Sequence, residues 1–221
     1  MVSAREGDDL VLRIDGTRPI SAETVASVAA LCDRAEDHDG PHPVVVHVSG
    51  APDASWADGL TVGLANKWER ALRRLERLDR LTVGTASGDC GGTALDALLV
   101  TDVRVATPET RLLLSTPDGT TWPGMALYRL TQEVGTARIR RAVLLGAPIE
   151  ATEAHTMALL DDLTTDPTSA LAELTSTAAA IPPSEPSIRR RLLFDASTVP
   201  FEEALGAHLA ACDRTLRRKT P

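Results

Sequence analysis

The chain is expected to fold as an α/β domain with a parallel sheet, and three observations lead there. Short β-branched runs alternate with longer amphipathic ones along the first half of the sequence. The run Val44–Val48 (VVVHV) is nearly all apolar, as a strand covered on both faces must be. The passages between runs carry the breakers that turns need, such as Gly50 with Pro52 and the glycines Gly88, Gly91 and Gly92.

Taken in order, Leu10–Ile14 alternates like a short strand. Ser21–Arg34 has apolar residues at helical spacing, with Ser21 and Glu23 at a plausible start. Val44–Val48 is the buried strand and Ser49–Ser55 a loop. Leu60–Leu78 is a long amphipathic helix. Leu81–Ala86 and Val103–Ala106 are strands, joined by a Gly-rich turn at 88–92 and a helical run from Thr93 to Val100. Thr107–Thr110 turns into a short strand, Arg111–Leu114, and residues 116–124 form a loop. Leu127–Leu145 is helical with an interruption near Gly135, and Thr152–Leu160 is a helix capped by Thr152. Ile181–Pro186 is a Pro-rich linker, followed by amphipathic helices Ile188–Phe194 and Phe201–Arg217. The expected organisation is a core domain over 1–180, then a linker and C-terminal helices over 181–221.

Composition narrows the function. With 221 residues, 43% hydrophobic and 24% charged, the chain can bury a real core and is not a disordered polymer. Two Phe, three Trp and one Tyr leave that core to Leu, Val and Ala. A net charge of −8 argues against nucleic acid as a partner. The arginine clusters at 70–80, 138–141 and 189–191 are read as solvated helix faces in preference to an anion site. Three scattered cysteines, Cys32, Cys90 and Cys212, fit a reducing cytoplasm and form no CxxC pair. Cys90 has no neighbouring His, so a small turn residue is expected there in place of a nucleophile. The five histidines are dispersed and suggest no metal site. The N-terminus lacks an apolar signal core, and no run is long enough to span a bilayer. A cytoplasmic protein without a membrane partner is therefore expected.

The segment Ser87–Asp102 (SGDCGGTALDALLVTD) carries the chemistry. It contains no GxGxxG, no GK[ST] and no GxSxG, so dinucleotide, P-loop and serine-elbow readings fail. What remains is a site of backbone donors at a strand-to-helix turn. A second such turn, Ala54–Leu60 (ASWADGL), precedes the long helix. Turns in neighbouring βα units can aim their N–H groups at one carbonyl oxygen and stabilise a thioester enolate.

With these segments in view, the chain resembles the crotonase (enoyl-CoA hydratase/isomerase) superfamily. VVVHVSG followed by WADG is similar to that family's strand and first oxyanion turn. SGDCGGTALDALLVTDVRVATPETRLLL is similar to its second turn, helix and next strand. Trp122–Gly124 (WPG) and Gly135–Leu163 complete the likeness. The resemblance implies a ClpP/crotonase-type parallel-sheet spiral with C-terminal helices that pack between subunits, in trimer-based homo- or hetero-oligomers. It implies oxyanion donors at the backbone amides of Ala57 and Thr93, with Gly92 the alternative to Thr93. It implies CoA thioesters as substrates, with no cofactor or metal.

The family's two hydratase acids fall on Asp96, one methylene shorter than the usual Glu, and on Thr116, which is no carboxylate. Hydration needs both groups, so an efficient enoyl-CoA hydratase is not expected. A structural role for Asp96, complementing the helix dipole from the first turn, stands beside the catalytic one. Asp102 falls on a structural position of the family. Asp89 and Asp118 are further acids beside the pocket, and Trp56, Trp68 and Trp122 are candidates to line it. The short length and the altered acids resemble the DpgB-type auxiliary proteins of 3,5-dihydroxyphenylglycine biosynthesis, part of a glycopeptide-antibiotic precursor pathway. That likeness implies a helper of a type III polyketide synthase, acting with it or with another crotonase-like protein on an acyl-CoA or polyketide thioester. The step assisted would be dehydration and aromatisation to 3,5-dihydroxyphenylacetyl-CoA. The alternatives are a catalytically degenerate scaffold that binds and enhances the synthase, and a divergent acyl-CoA isomerase or thioesterase.

Overall fold

The computed structural model describes residues 10–114, 119, 122, 124–182 and 184–219. Strand β1 (Val11–Asp15) leads into helix α1 (Ala22–Asp37), β2 (Val44–Gly50) into α2 (Val62–Glu76), and β3 (Thr82–Gly91) into α3 (Gly92–Leu98). Strands β4 (Val103–Ala106) and β5 (Arg111–Leu113) follow, then helices α4 (Ala126–Val134) and α5 (Thr136–Leu145). The chain closes with β6 (Ile149–Glu150), α6 (Ala151–Thr156), β7 (Asp162–Leu163), α7 (Pro167–Ala179), α8 (Glu185–Thr198) and α9 (Phe201–Lys219). The sheet order is β1-β2-β3-β4-β7, with β5 paired to β3 and β6 to β5. Every pairing is parallel except β5–β6. The expected α/β architecture with a parallel sheet and C-terminal helices is the one found.

Local chemistry explains the helices. Ser21 caps α1 by accepting from Thr24 N–H at 3.1 Å, and Thr61 caps α2 from Leu64 N–H at 3.2 Å. Helix α2 buries Trp68, Ala71, Leu72 and Leu75, a spacing of three and four residues, and turns its arginines outward. Gly135 separates α4 from α5, as the sequence suggested, and takes φ +80°.

Several details differ from expectation: α8 opens at Glu185, inside the stretch expected as linker, because Pro186 suits the first turn of a helix, and it runs on to Thr198. β3 does not stop at Ala86 but runs on to Gly91. A register shift at Ser49/Gly50 opposes Gly50 to Cys90 after Ser49 has opposed Ser87. That bulge bends β3, so residues 83–86 pair with β4 while residues 89–91 find a new partner in β5. Helix α6 ends at Thr156, short of Leu160, because Ala158 adopts φ +58° and the amides of Leu159 and Leu160 turn back onto the Ala154 carbonyl. Its N-cap is Glu150, with no side-chain bond, where Thr152 was expected. The stretch after β7, left without an element in the sequence, is α7, capped by Asp166 (3.1 Å to Ser169 N–H) with Pro167 opening it.

Helix α3 is the hub, with Thr93 through Leu98 all buried between the sheet and the flanking helices. Its C-terminal carbonyls are closed by the buried guanidinium of Arg104, which donates to Leu98 O (3.1 Å) and Leu99 O (2.9 Å) and pairs with Glu133 of α4. Asp102 accepts from Thr82 N–H (2.8 Å) and from Arg190 of α8, whose Nη1 and Nη2 also donate to the carbonyls of Leu78 (2.8 Å) and Arg80 (2.9 Å). The structural role expected of Asp102 is thus visible as the tie between the C-terminal helices and the core. Among the described residues, no helix is long and apolar enough to cross a membrane.

Candidate active site

The C-terminal ends of β1, β2 and β3 converge so tightly that glycine is required. A Cβ on Gly16 would lie 2.2 Å from Gly50 O and 2.5 Å from Gly91 O. At Gly92, φ is +52° and a Cβ would meet Pro52 Cγ at 2.6 Å and the Trp56 ring at 3.0 Å. The loop after β2 therefore rests directly on the turn that opens α3.

That loop is fixed by its own residues. Asp53 Oδ1 accepts from Ser55 N–H (2.9 Å) and Ser55 Oγ (2.8 Å), and Trp56 N–H donates to Asp53 O (3.2 Å). The Trp56 side chain is buried, packs edge-on against Trp122 with centroids 5.5 Å apart, and donates Nε1–H to Arg18 O at 2.9 Å. Thr93 Oγ1 contacts the same Arg18 carbonyl at 3.3 Å, and Asp15 O at 3.3 Å. One carbonyl thus ties Trp56, the neighbour of Ala57, to Thr93. The two turns picked out in the sequence are adjacent in space.

Within this junction Ala57 is exposed, Gly92 partly exposed and Thr93 fully buried. The Thr93 hydroxyl is spent on the loop after β1. No side chain caps α3, so the amides of its first turn have no partner within the helix. Gly92 stands at the edge of the junction and Thr93 within it.

Asp96 lies one turn further into α3 and is 1% exposed. Oδ2 accepts from Trp68 Nε1 of α2 at 3.0 Å, whereas Oδ1 is buried and has no hydrogen-bond partner. Burial first, and then the nearby Glu69 carboxylate, push the Asp96 carboxyl up from 3.8 to about 7; the Trp68 bond and Arg129 pull the other way. A buried acid held near neutrality can both take and return a proton at neutral pH.

The other expected residues divide. Asp89 is held in a bidentate pair with Arg111 (2.7 and 2.8 Å) across β3 and β5. Cys90 is fully buried in β3, and burial raises its thiol far above the ordinary range, so it is no nucleophile. Trp56 and Trp122 come together at the junction, while Trp68 serves Asp96. Thr116 and Asp118 lie outside the described residues. The arginine clusters behave largely as faces and ties: Arg74 pairs with Asp33 (2.7 Å) and Glu36 (2.6 Å), and Arg80 donates to the carbonyls of His38 and His42. Among the described residues no group of His, Cys, Asp or Glu is arranged to hold a metal ion. Glu69 of α2 and Arg129 of α4, whose charges reach Asp96, were not legible as site residues, since they lie far from it along the chain on two amphipathic helices.

An enoyl-CoA hydratase of Amycolatopsis orientalis is 57% identical over 211 residues, spanning 96% of this chain and 97% of its own length. A proposed enoyl-CoA hydratase from Thermobifida fusca, solved in complex with acetoacetyl-CoA, superposes with a TM-score of 0.79 at 16% identity, over 97% of this chain and 94% of its own. An enoyl-CoA hydratase from Shewanella pealeana gives 0.76 at 15% identity, over 96% and 84% respectively. At such identities the structural likenesses concern the fold. No family model matches the chain.

Proposed function

Because the chain belongs to the crotonase (enoyl-CoA hydratase/isomerase) superfamily, we propose that it binds a CoA thioester and moves protons beside the thioester carbonyl. In this reading the amides of Ala57 and of Gly92 or Thr93 receive the carbonyl oxygen, and Asp96 is the proton carrier. The adjacency of the two turns supports the first part, through the shared Arg18 carbonyl. The observation that carries the second is the buried Asp96 carboxyl with its unpartnered Oδ1.

The chemistry follows from one acid. For a β-hydroxyacyl thioester, the Asp96 carboxylate takes the proton from the α-carbon, and the electron pair passes to the thioester oxygen, held by the backbone donors. The enolate then re-forms its carbonyl as the β-carbon–oxygen bond breaks, and Asp96 returns the proton to the departing hydroxide as water. On a cyclised polyketide, one such elimination followed by enolisation of the two remaining ring ketones yields the aromatic diol. The thioester is the substrate, and the scheme calls for no cofactor. Elimination and hydration share one transition state, so the lack of a second carboxylate at position 116 slows both on a simple enoyl thioester; on a cyclised polyketide, elimination runs forward because it leads to an aromatic ring. This supports a DpgB-type helper of a type III polyketide synthase, acting in dehydration and aromatisation to 3,5-dihydroxyphenylacetyl-CoA.

The test supplies the synthase with malonyl-CoA and adds either the parent chain or Asp96→Asn. Loss of aromatic product with the variant supports the reading. Undiminished product removes Asp96 from the chemistry.

One observation favours the scaffold as second reading. The C-terminal helices expose Leu193, Phe194, Phe201, Leu209 and Leu216, each more than half accessible. They suit packing against another subunit or the synthase. Binding to the synthase with full enhancement by Asp96→Asn would select this reading.

A further inference from the structure

Asp96 is not buried among apolar groups alone. Helix α2 places Trp68 and Glu69 side by side, and the two residues hold different partners. Trp68 Nε1 donates to Asp96 Oδ2 of α3 at 3.0 Å. Glu69 Oε2 accepts from Arg129 Nη2 of α4 at 2.9 Å, and its Oε1 accepts from Met125 N–H at 3.3 Å. The Arg129 side chain is only 10% exposed and that of Glu69 22%. Arg129 Nη1 is buried with no hydrogen-bond partner, as is Asp96 Oδ1. Through two successive residues, α2 therefore joins a carboxyl with one free oxygen on α3 to a guanidinium with one free arm on α4. An unpaired buried N–H of a charged group is costly, so its retention asks for a reason.

We infer that the Glu69–Arg129 ion pair is the positioning element of Asp96, setting through its two opposed charges whether that carboxyl stands as acid or carboxylate. The inference rests on the proposed role of Asp96 as proton carrier. Glu69 disfavours the carboxylate and Arg129 favours it, and both fields reach Asp96 through a medium of low polarisability. Among the described residues, Cys90 of β3 is a further titratable neighbour, and its thiol stays neutral. Trp68 holds Asp96 by a neutral hydrogen bond and adds no charge. Neither Glu69 nor Arg129 touches a reacting atom in this scheme; they act through Asp96.

The test reads Asp96 directly, without substrate. The full chain is titrated by carboxyl infrared difference spectroscopy, each protein measured against its own Asp96→Asn counterpart. Glu69→Gln is expected to lower the Asp96 midpoint, and Arg129→Gln to raise it, each by about one pH unit or more. Arg129→Lys, which keeps the charge and loses the fork, is expected to restore the midpoint toward that of the parent. A merely structural pair would change the melting temperature and leave the midpoint in place. Shifts in the same direction, or none in a variant that folds, overturn the inference. If Arg129→Gln does not fold, the Glu69→Gln and Arg129→Lys titrations decide alone, an unmoved midpoint in Glu69→Gln being fatal. Failure of the functional reading looks different: the midpoints move as expected while Asp96→Asn still supports product formation.

Discussion

Replacing Asp96 by Asn should stabilise the protein at neutral pH and leave it nearly unchanged in acid. In the folded chain the carboxyl titrates at about 7, against 3.8 when free of its surroundings. Between those values the folded state keeps a proton that the unfolded state has released. The unfolded state then binds fewer protons, so stability falls as pH rises through this window. Below it both states are protonated and nothing is lost; above it both are ionised and the full cost is present. Each unit corresponds to about 1.4 kcal/mol, so the cost approaches roughly 4 kcal/mol at and above neutrality. Asn is close in shape to a protonated Asp, offers Trp68 Nε1 the same kind of acceptor, and does not ionise. The gain from Asp96→Asn should therefore grow from near zero at about pH 4 to several kcal/mol at about pH 8. In a chain of this size that is on the order of 10 °C in melting temperature. Urea unfolding at several pH values and one protein concentration measures it, because the difference between the proteins cancels every other titrating group. Parallel stability profiles for parent and variant would refute both the elevated carboxyl and the account of catalysis built on it. A stabilised, inactive variant would show an acid kept for chemistry at the expense of the fold.

Two further outcomes are expected. Gly92→Ala should cost about 2–4 kcal/mol in thermal melts, since its Cβ would strike Pro52 and Trp56 at a left-handed φ; Gly59→Ala, also at positive φ but with nothing within 4 Å, should cost only about 1 kcal/mol. Arg190→Ala should take from Asp102 its charged partner, leaving it the Thr82 donors, and from two carbonyls their guanidinium donor, costing about 2–4 kcal/mol and making α8 and α9 sensitive to limited proteolysis while the core resists.

What the sequence determined alone was whatever depends on neighbours along the chain. The apolar run of β2, the cap Ser21, the outward arginines of α2 and the break at Gly135 were all legible, because periodicity and turn chemistry act within a few residues. So was the glycine turn with an acid one helical turn beyond it. The tertiary structure decided where β3 bends, because that depends on β5 pairing with its far half. It also decided what Asp96 is. The first turn of α3 holds no acid, so Asp96 does not serve the helix start as the sequence allowed; buried against Trp68 and near the charges of Glu69 and Arg129, it is a near-neutral acid. Those partners sit on two other helices, and desolvation and charge act through space, so only the packing of α2, α3 and α4 could bring them to bear.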